Sequence, residues 1–134
     1  SQMQIRIGAR QDEKGIQALT EAKYEKAEVP PSGDEQDLRN IEANYFGKDG
    51  IFLVIEENGE VQGYLGAKSS DDGLVLKVKH LLLADDLDDH LATELMNIAL
   101  NHAYQNDFQK VEIEESVFKW LAKDHAAFAP RGLA

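Results

Sequence analysis

The sequence predicts an α/β domain, classed as α+β in some schemes, with helices on both faces of a mixed central sheet. Its clearest element is a hairpin. Residues 51–57 and 61–68 are rich in β-branched and aromatic residues, and Asn58-Gly59 between them is a two-residue turn that tolerates positive φ. Residues 74–83 form a third strand that is partly continuous in apolar residues, which is typical of a buried strand.

A crossover helix follows this third strand. The apolar spacing over residues 90–104 predicts a helix that leads to a short strand at Val111 and Ile113. A strand–helix–strand connection of this length places its two strands parallel. Because the hairpin strands are antiparallel, we expect a mixed sheet.

The chain before the hairpin predicts one strand and two helices. Ile5-Arg6-Ile7 alternates as a strand does, and Asp12 is placed to cap a helix over residues 13–27. The proline-rich segment 29–33 breaks that helix. A second helix then carries four large apolar residues at helical spacing: Leu38, Ile41, Tyr45 and Phe46.

Turns and a last helix complete the pattern. Asp49-Gly50 precedes the first hairpin strand, and residues 71–73 (Asp-Asp-Gly) close a second hairpin. Residues 116–130 predict a final helix.

Composition and charge bound the class of protein. The 134 residues suit one domain, residues 1–134, in which Ser1-Gln2 precedes Met3 in the manner of a cloning scar. No cysteine, signal-peptide pattern or apolar run of membrane-spanning length occurs in the sequence, which favours a cytoplasmic protein without membrane attachment. The formal net charge of −11 disfavours nucleic-acid binding, because the average surface repels phosphates.

The order of these elements and several short motifs resemble the GNAT N-acyltransferase superfamily. Residues 50–114, close to half of the chain, carry most of the resemblance. Within them, residues 52–64 are similar to the family's second and third strands, and residues 74–114 to its acyl-CoA-binding strand, loop, helix and strand. Residues 5–19 are similar to the opening strand and helix. The resemblance implies an N-acetyltransferase that uses acetyl-CoA.

The resemblance also implies where the coenzyme binds. The family holds the pyrophosphate on a Gln/Arg-x-x-Gly-x-Gly/Ala loop, where small residues let backbone N–H groups and a helix N-terminus approach the phosphates. Here only Ala92 matches, while Leu87 replaces the basic or amide residue and His90 the central glycine. The backbone of residues 81–83 is implied to hold the pantetheine arm. The implied cofactor-binding residues are Leu81, Leu82, Leu83, Leu87, Asp88, Asp89, His90, Leu91 and Ala92.

Negative charge crowds this loop at Asp85, Asp86, Asp88 and Asp89, and residues 80–109 contain no lysine or arginine. A helix N-terminus favours an anion by roughly 0.3–1 kcal/mol. One aspartate about 6 Å from a phosphate charge opposes it by about 0.7 kcal/mol in water and about 3 kcal/mol at an effective dielectric constant of 20. The main role we expect for these aspartates is that of a helix cap and dipole partners. They lack the alternation and closing glutamate of a calcium loop, so no metal is expected.

The family commonly uses a carboxylate on the central strand as general base and a tyrosine in the last helix as general acid. The carboxylate position falls near Val78, and His80 is the nearest group able to take a proton near neutral pH. His80 is therefore the candidate catalytic residue, with a core or strand-end histidine as the alternative. The tyrosine position falls on Phe128, which keeps the ring and lacks the hydroxyl.

The family implies an acceptor site between the Pro30-Pro31 loop and the sheet. Tyr24, Glu28 and Tyr45 are its candidate lining residues, with a helix surface for Glu28 and core packing for the tyrosines as alternatives. An acidic cleft there would suit a cationic amine or a lysine side chain.

Two further strands usually end the family's fold, and this sequence stops before them. Either the chain is cut from a longer protein, or its C-terminal strands are reduced or absent. A reduced fold would leave residues 111–114 as an exposed edge, on which a homodimer could form.

The sequence leaves three functions open. The first is an N-acyltransferase with a degraded pyrophosphate loop. The second is a catalytically inactive GNAT-like binding or regulatory module, which the altered loop, the missing carboxylate base and Phe128 favour. The third is an acidic interaction domain for a basic protein partner. Binding of acetyl-CoA separates the first function from the other two.

Overall fold

The computed structural model describes residues 2–28 and 34–117, which form five strands and three α-helices. The strands are β1 (Met3–Ile7), β2 (Ile51–Glu57), β3 (Glu60–Ser69), β4 (Val75–Leu83) and β5 (Lys110–Ile113). The helices are α1 (Glu13–Ala27), α2 (Ile41–Tyr45) and α3 (His90–Gln105). Short 3₁₀ segments lie at Arg10–Asp12, Asp34–Arg39 and Gly47–Asp49.

The strands form one mixed sheet in the order β1-β2-β3-β4-β5. Neighbours from β1 to β4 are antiparallel, and β5 lies parallel to β4 after the α3 crossover, as the sequence predicts. The turn between β2 and β3 has positive φ at both Asn58 and Gly59, which confirms the predicted hairpin.

Helices cover both faces of this sheet, and this confirms the arrangement predicted from the sequence. On one face α3 packs against β2 to β5 around a core that includes Leu53, Leu65, Leu76, Leu95 and Met96. On the other face α1, α2 and the 3₁₀ segment Asp34–Arg39 enclose a smaller core that includes Ile16, Leu38, Ile41, Tyr45 and Phe52. The two cores bury the first five residues of β2 and the middle five residues of β3.

The second helix is shorter than the sequence suggests. Leu38 and Tyr45 are buried as expected, but a 3₁₀ segment and α2 share the apolar positions, and Phe46 is 37% exposed. Asn40 separates the two pieces, because its side chain accepts a hydrogen bond from the Ala43 N–H at 3.1 Å and starts α2 there.

Asp12 stands at the start of α1, but its side chain does not cap that helix. Its carboxylate accepts two hydrogen bonds from the Arg6 guanidinium and one from the Ala9 N–H, all at 2.8 Å. Arg6 also bonds to Glu56 of β2 at 2.6 Å. This set of Arg6, Asp12 and Glu56, the Arg6 network, ties β1 and β2 to the start of α1.

Several sequence predictions fall outside the described residues. They are the proline-rich breaker at residues 29–33, the last helix beyond Val117, and Phe128. Within the described ranges, the longest helix is α3 with 16 residues, and none of the helices there is long and apolar enough to cross a bilayer.

Candidate functional site

The second half of β4 parts from β5. The parallel ladder joins β5 to residues 75–78 and ends with a hydrogen bond from the Glu114 N–H to the Val78 carbonyl at 2.9 Å. Residues 79–83 of β4 continue without β5, and within residues 2–28 and 34–117 no strand pairs with that side of them. We call this side of residues 79–83 the open edge of β4.

A β-bulge marks the point of separation. Val78 lies opposite Ala67 of β3 and His80 lies opposite Gly66, so Lys79 has no partner in the register. A bulge bends its strand and increases the local twist. It also shifts the alternation of side chains, so that Val78 and Leu81 both enter the α3-side core although they are an odd number of positions apart, three.

Backbone groups of Leu81 and Leu83 face the open edge. The Ala84 N–H donates to the Gln62 carbonyl at 2.8 Å, and hydrogen-bonded pairs alternate along an antiparallel ladder. Leu82 therefore directs its N–H and C=O at β3, and Leu81 and Leu83 direct theirs away from it. An extended ligand with its own amide groups can pair with such an edge.

A cavity of about 490 Å³ lies beside the open edge, between α1, the end of β4 and Ser116-Val117. This volume is in the usual range for small-molecule sites. Leu81 and Leu82 supply part of its apolar wall. Its polar lining includes Thr20, Lys23, Tyr24, Lys26, Glu35 and His80.

His80 lines this cavity and bonds to the carboxylate of Asp37. Its Nε2 lies 2.9 Å from Asp37 Oδ1, and each side chain is only 12% exposed. Asp37 comes from the 3₁₀ segment between α1 and α2, and Lys68 Nζ lies 3.5 Å from its other oxygen. The Tyr45 ring packs edge-on near the imidazole, with 6.4 Å between ring centroids. We call Asp37, Tyr45, Lys68 and His80 the histidine cluster.

The charges within the histidine cluster follow from its burial and its contacts. Burial opposes ionisation of Asp37, but the His80 hydrogen bond, the Tyr45 hydroxyl and the Lys68 ammonium outweigh it and hold the pKa of Asp37 below its usual value. Burial, followed by the nearby Asp37 carboxylate, raises the pKa of Tyr45 above its usual range. The Tyr45 hydroxyl lies near Asp37 without hydrogen-bond geometry to any described residue.

The expected excess of negative charge before α3 is partly offset. Asp85 lines the cavity and pairs with two lysines of α1, Lys23 at 2.6 Å and Lys26 at a shorter distance. Their hydrogen bonds lower the pKa of Asp85 to about 2. The sequence-based estimate omitted these cations, because they lie about 60 residues earlier in the chain.

The first amides of α3 bond to their own loop. The His90 N–H donates to Asp88 Oδ1 at 2.9 Å, whereas Asp89, at the N-cap position, makes no side-chain cap bond. The N–H groups of Leu91 and Ala92 donate to the Asp88 and Asp89 carbonyls at 3.0 Å each. The His90 imidazole pairs with Glu94 at 3.1 Å. A phosphate approaching this turn would therefore compete with bonds already made, above all with the Asp88 carboxylate.

The apolar members of the implied cofactor site have side chains in the cores. Leu81, Leu83 and Ala92 are buried in the α3-side core, and Leu87 and Leu91 pack against it. Leu82 packs against the smaller core on the opposite face. Leu81, Leu83 and Ala92 therefore offer a coenzyme mainly their backbone groups, whereas Leu82, Leu87 and Leu91 are half-buried.

The implied acceptor residues are dispersed. Tyr24 lines the 490 Å³ cavity and also a neighbouring cavity of about 310 Å³. Glu28 is exposed at the C-cap of α1, where it adopts a left-handed conformation with φ 57°. Tyr45 is completely buried in the histidine cluster. Of the three, Tyr24 is the residue that the structure places in a cavity wall.

No protein-family model and no curated protein matches the sequence. Solved structures do match. An acetyltransferase of the GNAT family from Staphylococcus aureus Mu50 aligns with a TM-score of 0.78 at 15% identity, over 98% of this chain and 87% of that chain. The chain has the GNAT fold.

Other proteins of this fold align over most of the chain as well. A ribosomal-protein-alanine N-acetyltransferase from Brucella melitensis biovar Abortus 2308 gives a TM-score of 0.68 at 17% identity, over 98% of this chain and 94% of that chain. An N-acetylglutamate synthase from Neisseria gonorrhoeae, solved with coenzyme A and N-acetylglutamate, gives 0.62 at 16% identity, over 92% of this chain and 28% of that chain. At such identities the likeness is one of GNAT fold.

Sequence reasoning singled out His80 as a candidate and missed Asp37, its hydrogen-bond partner. Asp37 lies 43 residues before His80, inside a segment that reads only as the start of a helix. Lys23 and Lys26 carry a weak signal, because their spacing of three puts both on one side of α1. Nothing in the spacing alone says that this side faces Asp85.

Proposed function

We propose that this chain is an N-acyltransferase that moves an acetyl group from acetyl-CoA to an amine. The observation that carries the proposal is the open edge of β4, where Leu81 borders a cavity that His80 also lines. A backbone edge, an adjoining cavity and a proton-accepting side chain are three parts that acyl transfer from a thioester needs. The GNAT fold supports the proposal by analogy only.

The coenzyme's pantetheine arm would lie along the open edge. Its two amides can exchange hydrogen bonds with the outward N–H and C=O groups of Leu81 and Leu83, as an added strand would. The thioester at the end of the arm would then enter the cavity near His80. This placement uses backbone atoms, so the apolar side chains at these positions do not oppose it.

The coenzyme's phosphates would lie near both carboxylates and lysine side chains. The Asp88 carboxylate accepts the His90 N–H, so this amide is not available to a phosphate unless that bond breaks. Lys23, Lys26 and Lys79 line the cavity beside it, against the carboxylates of Asp85 and Glu35. We therefore propose that the coenzyme's diphosphate depends on lysine charge more than on the loop amides.

The acceptor is proposed to be a cationic amine or a lysine side chain. The 310 Å³ cavity adjoins the larger one through shared residues Thr20, Tyr24 and Glu35, and Glu21 and Glu25 also line it. Among the described residues that line it, Arg39 is the one cation, so this second cavity favours a positively charged ligand.

A catalytically inactive GNAT-like binding or regulatory module is the second candidate function. The loop before α3 supports it, because the Asp88 carboxylate already accepts the His90 N–H and the flanking Leu87 and Leu91 pack against the α3-side core. Such a module would keep the cavity for another ligand and would not turn over acetyl-CoA.

Acetyl-CoA is expected to stabilise the protein. At a concentration 100 times its dissociation constant, it should raise the free energy of unfolding by about 2.7 kcal/mol in a thermal-shift experiment. Ala27→Trp places an indole at an exposed position in the cavity lining and should abolish the shift. Ala22→Trp, on the exposed side of the same helix, is the matched control and should retain it. No shift for the wild type at millimolar acetyl-CoA would remove the transferase proposal.

Replacing Asp88 and His90 together by glycine is expected to tighten acetyl-CoA binding. The double variant removes a carboxylate from the helix end and frees the amide of residue 90. Removing one charge about 6 Å from a phosphate changes affinity by about threefold or more. Asp107→Gly removes the same charge at the other end of α3, where φ is already 62°, and should leave the dissociation constant unchanged. Calorimetric titration with acetyl-CoA measures the dissociation constants of the double variant and of the control. Weaker binding by the double variant would mean that the Asp88 and His90 side chains help to hold the coenzyme.

A further inference from the structure

The contact between Asp37 and His80 gives the histidine cluster a defined chemistry. The two residues come from separate elements, and each side chain is 12% exposed, so little water competes for their hydrogen bond. Asp37 Oδ1 is the atom that meets His80 Nε2, at 2.9 Å. Lys68 lies against Oδ2, and the Tyr45 hydroxyl lies nearby, so the carboxylate is held from more than one side.

The direction of the hydrogen bond follows from the charge of Asp37. An ionised carboxylate accepts hydrogen bonds and cannot donate them. The hydrogen between the two residues must then sit on Nε2 of His80, and Nδ1 of the neutral imidazole is left as an acceptor. Since Asp37 keeps a pKa below its usual value despite burial, its carboxylate stays ionised across neutral pH, and a neutral imidazole beside it carries its hydrogen on Nε2.

We propose that Asp37 is a positioning residue, which locks His80 in the Nε2–H tautomer so that Nδ1 accepts the proton of the acceptor amine. This inference rests on the proposed acyl transfer. The bound ammonium first loses one proton to solvent, and the resulting neutral amine attacks the thioester carbonyl carbon, so that a C–N bond forms and the C–S bond breaks. The proton lost by nitrogen goes to His80 Nδ1, and the coenzyme leaves as a thiolate that takes a proton back from the imidazolium or from solvent.

Other ionisable groups surround the pair and enter any pH profile. Tyr45 from α2 and Lys68 from β3 complete the histidine cluster. Further titratable and charged groups from α1, the 3₁₀ segment, β3 and β4 line the same cavity wall: Lys23, Tyr24, Glu35, Tyr64 and Lys79. Burial raises the pKa of Tyr64. A control that alters charge but not the histidine contact is therefore needed.

The tautomer can be measured in the free protein, whether or not it is an enzyme. Long-range ¹H–¹⁵N spectra distinguish a protonated from a bare ring nitrogen. At a pH above the titration of His80, where the imidazole is neutral, we expect the wild type to show a protonated Nε2 and a bare Nδ1, and Asp37→Asn to show a mixture of tautomers. A wild-type proton on Nδ1 of the neutral ring would overturn the inference, even if acetyl-CoA binds and reacts.

The catalytic part is tested with a double-mutant cycle. Release of the coenzyme thiol can be followed with a disulfide reagent without protein background, because the chain has no cysteine. Spermidine, lysine and a short lysine peptide serve as acceptors. Asp37→Asn should lower kcat/KM by at least about tenfold in the wild-type background and leave His80→Gln unchanged, since Asp37 acts only through the imidazole. Asp37→Glu should restore part of the loss.

The control variant for Asp37→Asn changes a carboxylate outside the histidine cluster. Glu42→Gln alters a carboxylate of α2 that bonds to Arg10, and it should leave kcat/KM unchanged. Equal losses from Asp37→Asn in both backgrounds, or no loss in either, would overturn the positioning role. Failure of acetyl-CoA to bind would instead remove the proposed function and the catalytic role with it, while the tautomer measurement would still decide whether Asp37 orients His80.

Discussion

His80→Gln is expected to lower kcat for acetyl transfer by about 10²–10⁴-fold, the usual contribution of proton transfer by a positioned side chain. Glutamine fills similar space and can bond to Asp37, but it cannot take a proton near neutral pH. The KM for acetyl-CoA should change little, because the proposed coenzyme contacts are made by the backbone of β4 and by lysines.

The pH profile separates this chemical role from a structural one. A histidine base loses activity when it is protonated, so kcat/KM of the wild type should fall on the acid side, and this limb should be absent in His80→Gln. His102→Gln is the control, because His102 bonds to the Asp49 carbonyl at 2.7 Å and lies outside the proposed site. An undiminished kcat in His80→Gln would show that His80 is a wall residue of the cavity and not its base.

Arg6→Met is expected to lower the free energy of unfolding by about 3 kcal/mol, the lower end of the range for breaking a buried ion pair, because Arg6 itself is 28% exposed. The loss comes mainly from Asp12, whose side chain is only 6% exposed and would keep a charge without its partner. Urea denaturation with an unchanged m-value measures the effect. Arg10→Met removes a pair whose arginine side chain is 76% exposed, and it should cost less than about 1 kcal/mol.

The Arg6 network also sets a pH dependence. Arg6 hydrogen bonds hold the pKa of Asp12 below its ordinary value of 3.8. A lowered pKa in the folded state means that the stabilisation is fully present above the ordinary value and is lost as the pH falls through the lowered one. Between about pH 4 and pH 2, Arg6→Met should therefore lose less stability than the wild type does. Equal acid sensitivity of the two proteins would contradict this account of Asp12.

Sequence patterns predicted the strands and the long helices well, because local chemistry determines them. Asn58-Gly59 can adopt the positive φ that a tight hairpin needs, and the crossover rule fixes the parallel placement of β4 and β5. The short α2 was less predictable. Its apolar spacing is helical, but Asn40 interrupts the helix with a side-chain hydrogen bond that spacing does not reveal.

The site was harder to predict than the fold, because its charges come from distant parts of the chain. The aspartates before α3 suggested an uncompensated negative loop, whereas Lys23 and Lys26 lie against Asp85 in the structure. The bulge at Lys79, which separates β4 from β5, has no marker such as glycine or proline at that position. Asp37 could be linked to His80 only after the 3₁₀ segment was seen to pack on the sheet.

The most direct test of the proposed site is a titration of the ¹⁵N-labelled protein with acetyl-CoA, followed through backbone amide shifts. The amides of Leu81 and Leu83 should shift progressively and saturate, because their N–H groups face the open edge of β4. Amides of β1, at the opposite edge of the sheet, should stay in place. Saturating shifts at β1 or at the α3 surface, with Leu81 and Leu83 unmoved, would contradict coenzyme binding at the open edge.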